Sequence, residues 1–271
     1  MGVMKTGRIA AGIMSLVFAC ALTGCIGDPS VKTPAATEAV VTENREAAEV
    51  TTMDEQTKRR ERSVQVCTSK GIKTNAGLPL LPAESETAVR DMDTVCRRAV
   101  ASLIVIQITF ERIDNNKENI DFFIGELKRY GVENDLLPAE QRVVDGSCSQ
   151  QDLINVQWEY ECYWSLVWAL GLIDDITDAS GCCDCEKAIK LVSECGSLDE
   201  FTKKCSMRST AEILDMTDLY YCYHWATVEK RIRPETAAGD LDEEVVMERR
   251  RGLEWLISDE EDDWAEISLD T

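Results

Sequence analysis

The sequence predicts an all-α, or nearly all-α, single domain, and three observations carry that reading. Ser149 with Asp152, Ser197 with Glu200, and Ser209 with Glu212 each place a hydroxyl three residues ahead of an acid, the capping-box spacing in which both side chains satisfy free backbone amides at a helix start. Gly131, Gly171 and Gly196 follow apolar or basic runs where a helix would stop on a left-handed residue. No stretch alternates apolar and polar residues for long between turn dipeptides, so strand signals are few.

In chain order, Lys58 to Ser69 reads as a first helix, and Ile72 to Pro82, with two prolines, as an extended connection. Between Glu84 and Arg112, Val89, Met92, Cys96, Ala99, Leu103, Ile106 and Phe110 recur at three- and four-residue steps, which describes one long amphipathic helix. Ile104 to Phe110 is β-branched enough for a strand, but the unbroken period and the lack of Gly or Pro favour helix. Asn119 to Tyr130, Gln150 to Leu170, Glu186 to Cys195, Leu198 to Cys205, Thr210 to Ile232 and Glu243 to Ile257 complete a set of about eight helices. Trp158, Tyr160, Cys162, Tyr163, Trp164, Leu166, Trp168 and Leu170 make the Gln150 to Leu170 helix apolar nearly all round, the pattern of a central helix. No fixed-period repeat is present, which weighs against a solenoid.

The N-terminus is an address. Lys5 and Arg8 precede an uncharged stretch, Ile9 to Leu22, with the length of a signal peptide rather than of a bilayer span. Leu22, Thr23, Gly24 and Cys25 resemble the lipobox of bacterial lipoproteins. That resemblance implies cleavage after Gly24 and diacylglyceryl transfer to the Cys25 thiol; an ordinary secretory signal with Cys25 incidental is the alternative. Two or three acyl chains hold a protein stably on a bilayer where one is marginal. Ile26 is not the Asp that retains such proteins in an inner membrane, and both the cell membrane and the outer membrane stay open. Residues 1–24 are thus expected to be the signal peptide, 25–57 a Thr-, Ala- and Glu-rich flexible tether without aromatics, and 58–271 the folded domain.

Removing residues 1–24 takes away Lys5 and Arg8 and no acid, leaving 27 basic against 50 acidic side chains and a net charge of −23. So negative a surface repels phosphate backbones, which excludes nucleic acid as a partner class and favours neutral or cationic ligands, including basic proteins. The acidic run Asp259 to Asp263 reads as a solvated end, flanked by Trp255 and Trp264. Of twelve cysteines, Cys20 leaves with the signal and Cys25 carries lipid; the remaining ten fit either disulfides, with Cys182, Cys183, Cys185, Cys195 and Cys205 close in sequence, or buried thiols. A zinc site is disfavoured, since the cysteines lack a repeated two-residue gap and His224 is the sole histidine.

Chemistry-bearing candidates are few. Glu161 lies among Trp158, Trp164 and Ser165, and a carboxylate so placed needs a proton or a cation. Arg249, Arg250 and Arg251, after Glu248 on the last helix, offer guanidinium groups suited to it as a structural ion pair, and Arg249 is the candidate for anion stabilisation in an active site. His224, among Tyr220, Tyr221, Tyr223 and Trp225, is either a general base or a hydrogen-bonded core residue. Asp174, Asp175 and Asp178 give only a weak cation-loop signal. There is no phosphate loop, nucleophile elbow, paired-histidine zinc helix or dinucleotide fingerprint, and neither a cofactor nor a metal is predicted.

Arg59 to Ser63 with Gly71 and Ile72, Gln157 to Tyr160 with Tyr163, Trp164 and Trp168 to Gly171, Cys183 with Asp184, Arg208, Ser209, Glu212, Ile213, Leu214 and Asp218, Tyr221 with His224 to Ala226, and Glu248, Arg249, Leu253 and Trp255 together resemble the bacterial domain of unknown function family numbered 4272, over about residues 58 to 271. The resemblance implies one helical domain and assigns no activity, cofactor or substrate. Relatives commonly carry Arg where this chain has Cys222, and many lack a signal, which implies a fold independent of disulfides. The function expected is therefore a lipid-anchored binding or protein-interaction module facing the periplasm or cell exterior. A hydrolase using Glu161, His224 and Arg249 is the alternative.

Overall fold

Eleven consecutive residues of one helix, Glu159 to Ala169, are buried, and the rest of the molecule is arranged around them. The computed structural model describes residues 53–258 and 264–271. The signal peptide, Cys25, most of the expected tether and the acidic run 259–263 lie outside the described residues. Among those described there are nine α-helices and no strand: α1 (53–69), α2 (Met92–Ile113), α3 (Lys117–Tyr130), α4 (Pro138–Asp145), α5 (Gln150–Ala169), α6 (Cys185–Ser193), α7 (Leu198–Lys204), α8 (Thr210–Ile232) and α9 (Glu243–Ile257). Short 3-10 turns occupy Glu84–Glu86 and Trp264–Glu266. An isolated antiparallel bridge joins Ile72 to Ala238.

Central α5 packs on α2 and α9, α9 also lies on α8, and α3 covers α2. The strand-prone Ile104 to Phe110 run is helical, inside an α2 whose residues Arg98 to Ile106 are all buried. This is a case of tertiary burial and period outweighing local propensity. The Ser149–Asp152 and Ser209–Glu212 boxes form reciprocally, with amide-to-side-chain distances of 2.8 to 3.3 Å. At Ser197 only half does: its Oγ accepts from Glu200 N at 3.3 Å, while Glu200 Oε2 takes the amide of Gly196 at 2.7 Å.

Four boundaries differ from the sequence reading, each for a local reason. Residues 53–57, read as tether, already belong to α1, and Gln56 Nε2 donates to Leu81 O at 2.9 Å. The long second helix begins at Met92 rather than Glu84 because Asp91 caps it, accepting from Thr94 N at 3.0 Å. Helix α4 was not anticipated, although Pro138 at its first position and Gly146 (φ +77°) at its end are the expected start and stop residues. Gly131 (φ +69°) and Gly171 (φ +72°) are left-handed as expected, but Gly196 is not: α6 stops earlier, at Ser193, and Gly196 instead offers its amide to Glu200.

The extended connection 72–82 is held by arginines of α1. Arg60, paired with Asp218 of α8 at 2.8 Å, also donates to Leu78 O and Pro79 O, and Arg59 donates to Pro82 O. All ten described cysteines are free thiols, with the Cys96 and Cys205 sulfurs 3.7 Å apart. No described helix is long and apolar enough to cross a membrane.

At the α5–α9 crossing, a Cβ on Gly252 would stand 2.8 Å from Cys162 O and 3.1 Å from Ser165 Cβ. Exposed Gly125 in α3 would have nothing within 4 Å. Replacing a helical Gly by Ala ordinarily gains about 0.5–1 kcal/mol, so Gly125→Ala is expected to stabilise the chain by that amount. Gly252→Ala is expected to destabilise it by roughly 1–3 kcal/mol through overpacking, with both measured by urea unfolding.

Candidate functional site

Glu161 and Arg249 meet in the core. Glu161, 1% exposed, accepts from Arg249 Nε at 2.8 Å on one oxygen and from Cys183 N at 2.7 Å on the other. The remaining guanidinium nitrogens donate to Asp178 O at 2.5 Å, Ile176 O at 3.4 Å, Gly181 O at 3.3 Å and the Tyr220 hydroxyl at 3.2 Å. The pair is therefore saturated, and what it binds is the chain's own segment 176–183. Arg249 forms part of the floor of a depression of about 260 Å³ over that segment. The acids of the same segment cap turns: Asp175 accepts from the Thr177 amide and hydroxyl, and Asp178 from Ser180 N. Among the described residues no three His, Cys, Asp or Glu side chains gather to hold a metal ion.

His224 is brought to neither of them. It is 6% exposed on α8, and its Nδ1 stands 2.9 Å from Arg250 Nη1. An arginine can only donate, which makes Nδ1 the acceptor and puts the imidazole proton on Nε2. Burial, and then the Arg250 charge, push the imidazole down to about 4. The nitrogen a general base would use is thus occupied at neutral pH. Arg250 also stacks on Tyr221 at 4.3 Å and donates to Leu269 O and Asp270 O, tying the C-terminal residues to the core.

A different carboxyl has the unsatisfied environment that Glu161 lacks. Glu159 lies two residues earlier on α5, about 200° round the helix, and is 7% exposed. It lines a cavity of about 390 Å³ between the first half of α5, α9 and Trp264, together with Asn155, Trp158, Glu248 and Arg251. Its Oε2 is buried without a hydrogen-bond partner among the described residues. Burial, followed by the negative charge of Glu140 and opposed by Arg98, raises this carboxyl well above the ordinary range. Glu248, in the same wall, is held by Arg251 Nε at 3.0 Å and the Cys162 thiol at 3.3 Å. Arg98 pairs with Glu140 and lies over the Trp264 ring at 4.9 Å.

The sequence reading takes up Glu161 and does not single out Glu159. The available signal was that Glu159 and Glu161 bracket Tyr160 in an otherwise apolar run, so the two acids must be buried on opposite faces and need separate partners. A third cavity, of about 330 Å³ between α1 and α8, has its cations already matched, Arg62 by Asp215 and Arg208 by Glu212.

A family model described as Domain of unknown function (DUF4272) matches residues 59–267. No curated protein and no solved structure gives a significant match.

The lowered His224 value fixes a pH dependence. Between the unfolded value of 6.5 and about 4, the unfolded chain binds a proton that the native chain does not, so stability falls as pH drops through that window. The loss from this one group is roughly 2–4 kcal/mol. Urea unfolding at pH 7 and pH 4.5 is expected to show a smaller acid loss in His224→Gln than in the parent chain.

Proposed function

The chain belongs to the DUF4272 family, and from that premise we propose that it is a lipid-anchored binding module, fastened through Cys25 and facing the periplasm or the cell exterior. The anchoring half is supported by Leu22 to Cys25 after a charged start and a short apolar run. The observation that carries the binding half is the α5–α9 cavity, lined by Glu159, whose buried Oε2 has no hydrogen-bond partner among the described residues. Native interiors rarely leave such a group unsatisfied, so a site of this kind is a place for a ligand atom.

The acidic composition supports basic partners over anionic ones, since a chain of net charge −21 steers cations towards itself. The hydrolase alternative has less support: Glu161 and Arg249 spend their hydrogen bonds on each other and on segment 176–183, and His224 sits on Arg250. A catalytic acid or base needs a proton-transfer position open to substrate.

Growth of expressing cells with radiolabelled palmitate tests the anchor. Label is expected on the wild-type chain and absent from Cys25→Ala, which should accumulate unlabelled precursor. An unlabelled wild-type chain retaining Met1 would contradict the proposal.

A further inference from the structure

Three ionisable side chains line the α5–α9 cavity, Glu159, Glu248 and Arg251, and they do not balance. Arg98 of α2 is paired with Glu140 of α4, and Arg251 of α9 with Glu248. Glu159 is the acid left over, and its Oε2 is buried with no hydrogen-bond partner among the described residues. Cys162, also facing this group, is a neutral thiol whose ionisation burial pushes far up. An anionic ligand would meet two carboxyls in one wall. A neutral ligand would leave the extra acid uncompensated whenever it ionised.

Resting on the binding reading above, we propose that this cavity seats a primary ammonium group against Glu159, with the Trp158 ring beside it and the amides of Gln151 and Asn155 as further polar contacts. The ammonium supplies the third cation the cluster lacks, and three N–H donors suit a carboxylate better than one water would. An indole face adds cation–π attraction. The volume of about 390 Å³ accepts either a small free amine or the end of a lysine side chain. In the pH range where Glu159 is protonated, its carboxylic acid releases the proton to solvent as the ammonium arrives, and a carboxylate–ammonium pair forms. Binding therefore strengthens as pH rises, about tenfold per unit until Glu159 ionises unaided, and is flat above that. The charged groups around Glu159 are already joined in pairs of their own, Arg98 with Glu140 and Arg251 with Glu248.

The full chain, solubilised in a maltoside detergent at physiological salt, would be titrated calorimetrically with putrescine, with acetyl-Gly-Lys-Gly-amide and with 1,4-butanediol. Saturable binding of an ammonium probe with release of about one proton, read from heats in buffers of different ionisation enthalpy, is the expected result. The tighter of the two amines identifies the source, free amine or lysine. Glu159→Gln, isosteric with the protonated acid and so expected to fold, should weaken that binding at least tenfold, while exposed Glu244→Gln should not. Butanediol binding as tightly as putrescine and indifferent to Glu159→Gln would overturn the ammonium assignment and leave the cavity as a binding site. Saturable heat from none of the three would mean that the cavity takes no ligand of this kind, and the binding reading itself would fail.

Discussion

The buried pair of Glu161 and Arg249 is the constraint on which the rest of this structure depends. Moving two charges out of water is costly, and an isolated ion pair in a protein core is often no better than a pair of apolar residues. Here the surrounding hydrogen bonds change the balance. Glu161 takes a backbone amide from segment 176–183 on its second oxygen, and Arg249 gives its other N–H groups to carbonyls of that segment and to Tyr220. A loop without regular secondary structure is thereby closed over the core by its own peptide groups. The pair also sets how α9 sits on α5, and the close approach at Gly252 follows from that register. Ser165 Oγ and the Cys162 thiol add donors to the Arg249 and Glu248 carbonyls across the same crossing.

Fixing one face of α5 leaves the opposite face to other partners. Glu159 falls there, where α5 and α9 diverge towards Trp264 and a cavity opens between them. The two acids of one helix therefore have opposite chemistry, set by environment rather than residue type. Glu161 is saturated by a guanidinium and an amide, whereas burial and the neighbouring Glu140 charge push the Glu159 carboxyl up. Paired acids whose environments diverge in this way are a common mark of functional sites.

Much of this was legible in the sequence, and the misses have physical causes. The ends of α8 and α9 read correctly because Ser209 and Asp242 cap sustained apolar periods. That Glu161 would meet an arginine of the run 249–251 could be anticipated because a carboxylate among indoles admits few solutions; which of the three it is could not. Helix α4 escaped notice because eight residues are too few to show a period. The false start at Glu84 arose because an apolar period says which face is buried, while the capping oxygen of Asp91 decides where the helix begins. Gly196 misled because a glycine after a helical run serves equally well as a loop residue whose amide another side chain takes. Glu159 was obscured since its neighbours Glu140, Arg98 and Trp264 come from distant parts of the chain, and no local spacing records that convergence.

The central claim is tested most directly by a double-mutant cycle on Glu161 and Arg249. Unfolding free energies would be measured for Glu161→Gln, Arg249→Met and the double variant. If the pair holds segment 176–183 and the α5–α9 register, each single change should cost about 3–5 kcal/mol by stranding a buried charge or its partners. The double variant should then cost less than the two together by more than about 1 kcal/mol. Losses that simply add, within about 0.5 kcal/mol, would show that the two side chains act independently and contradict the account.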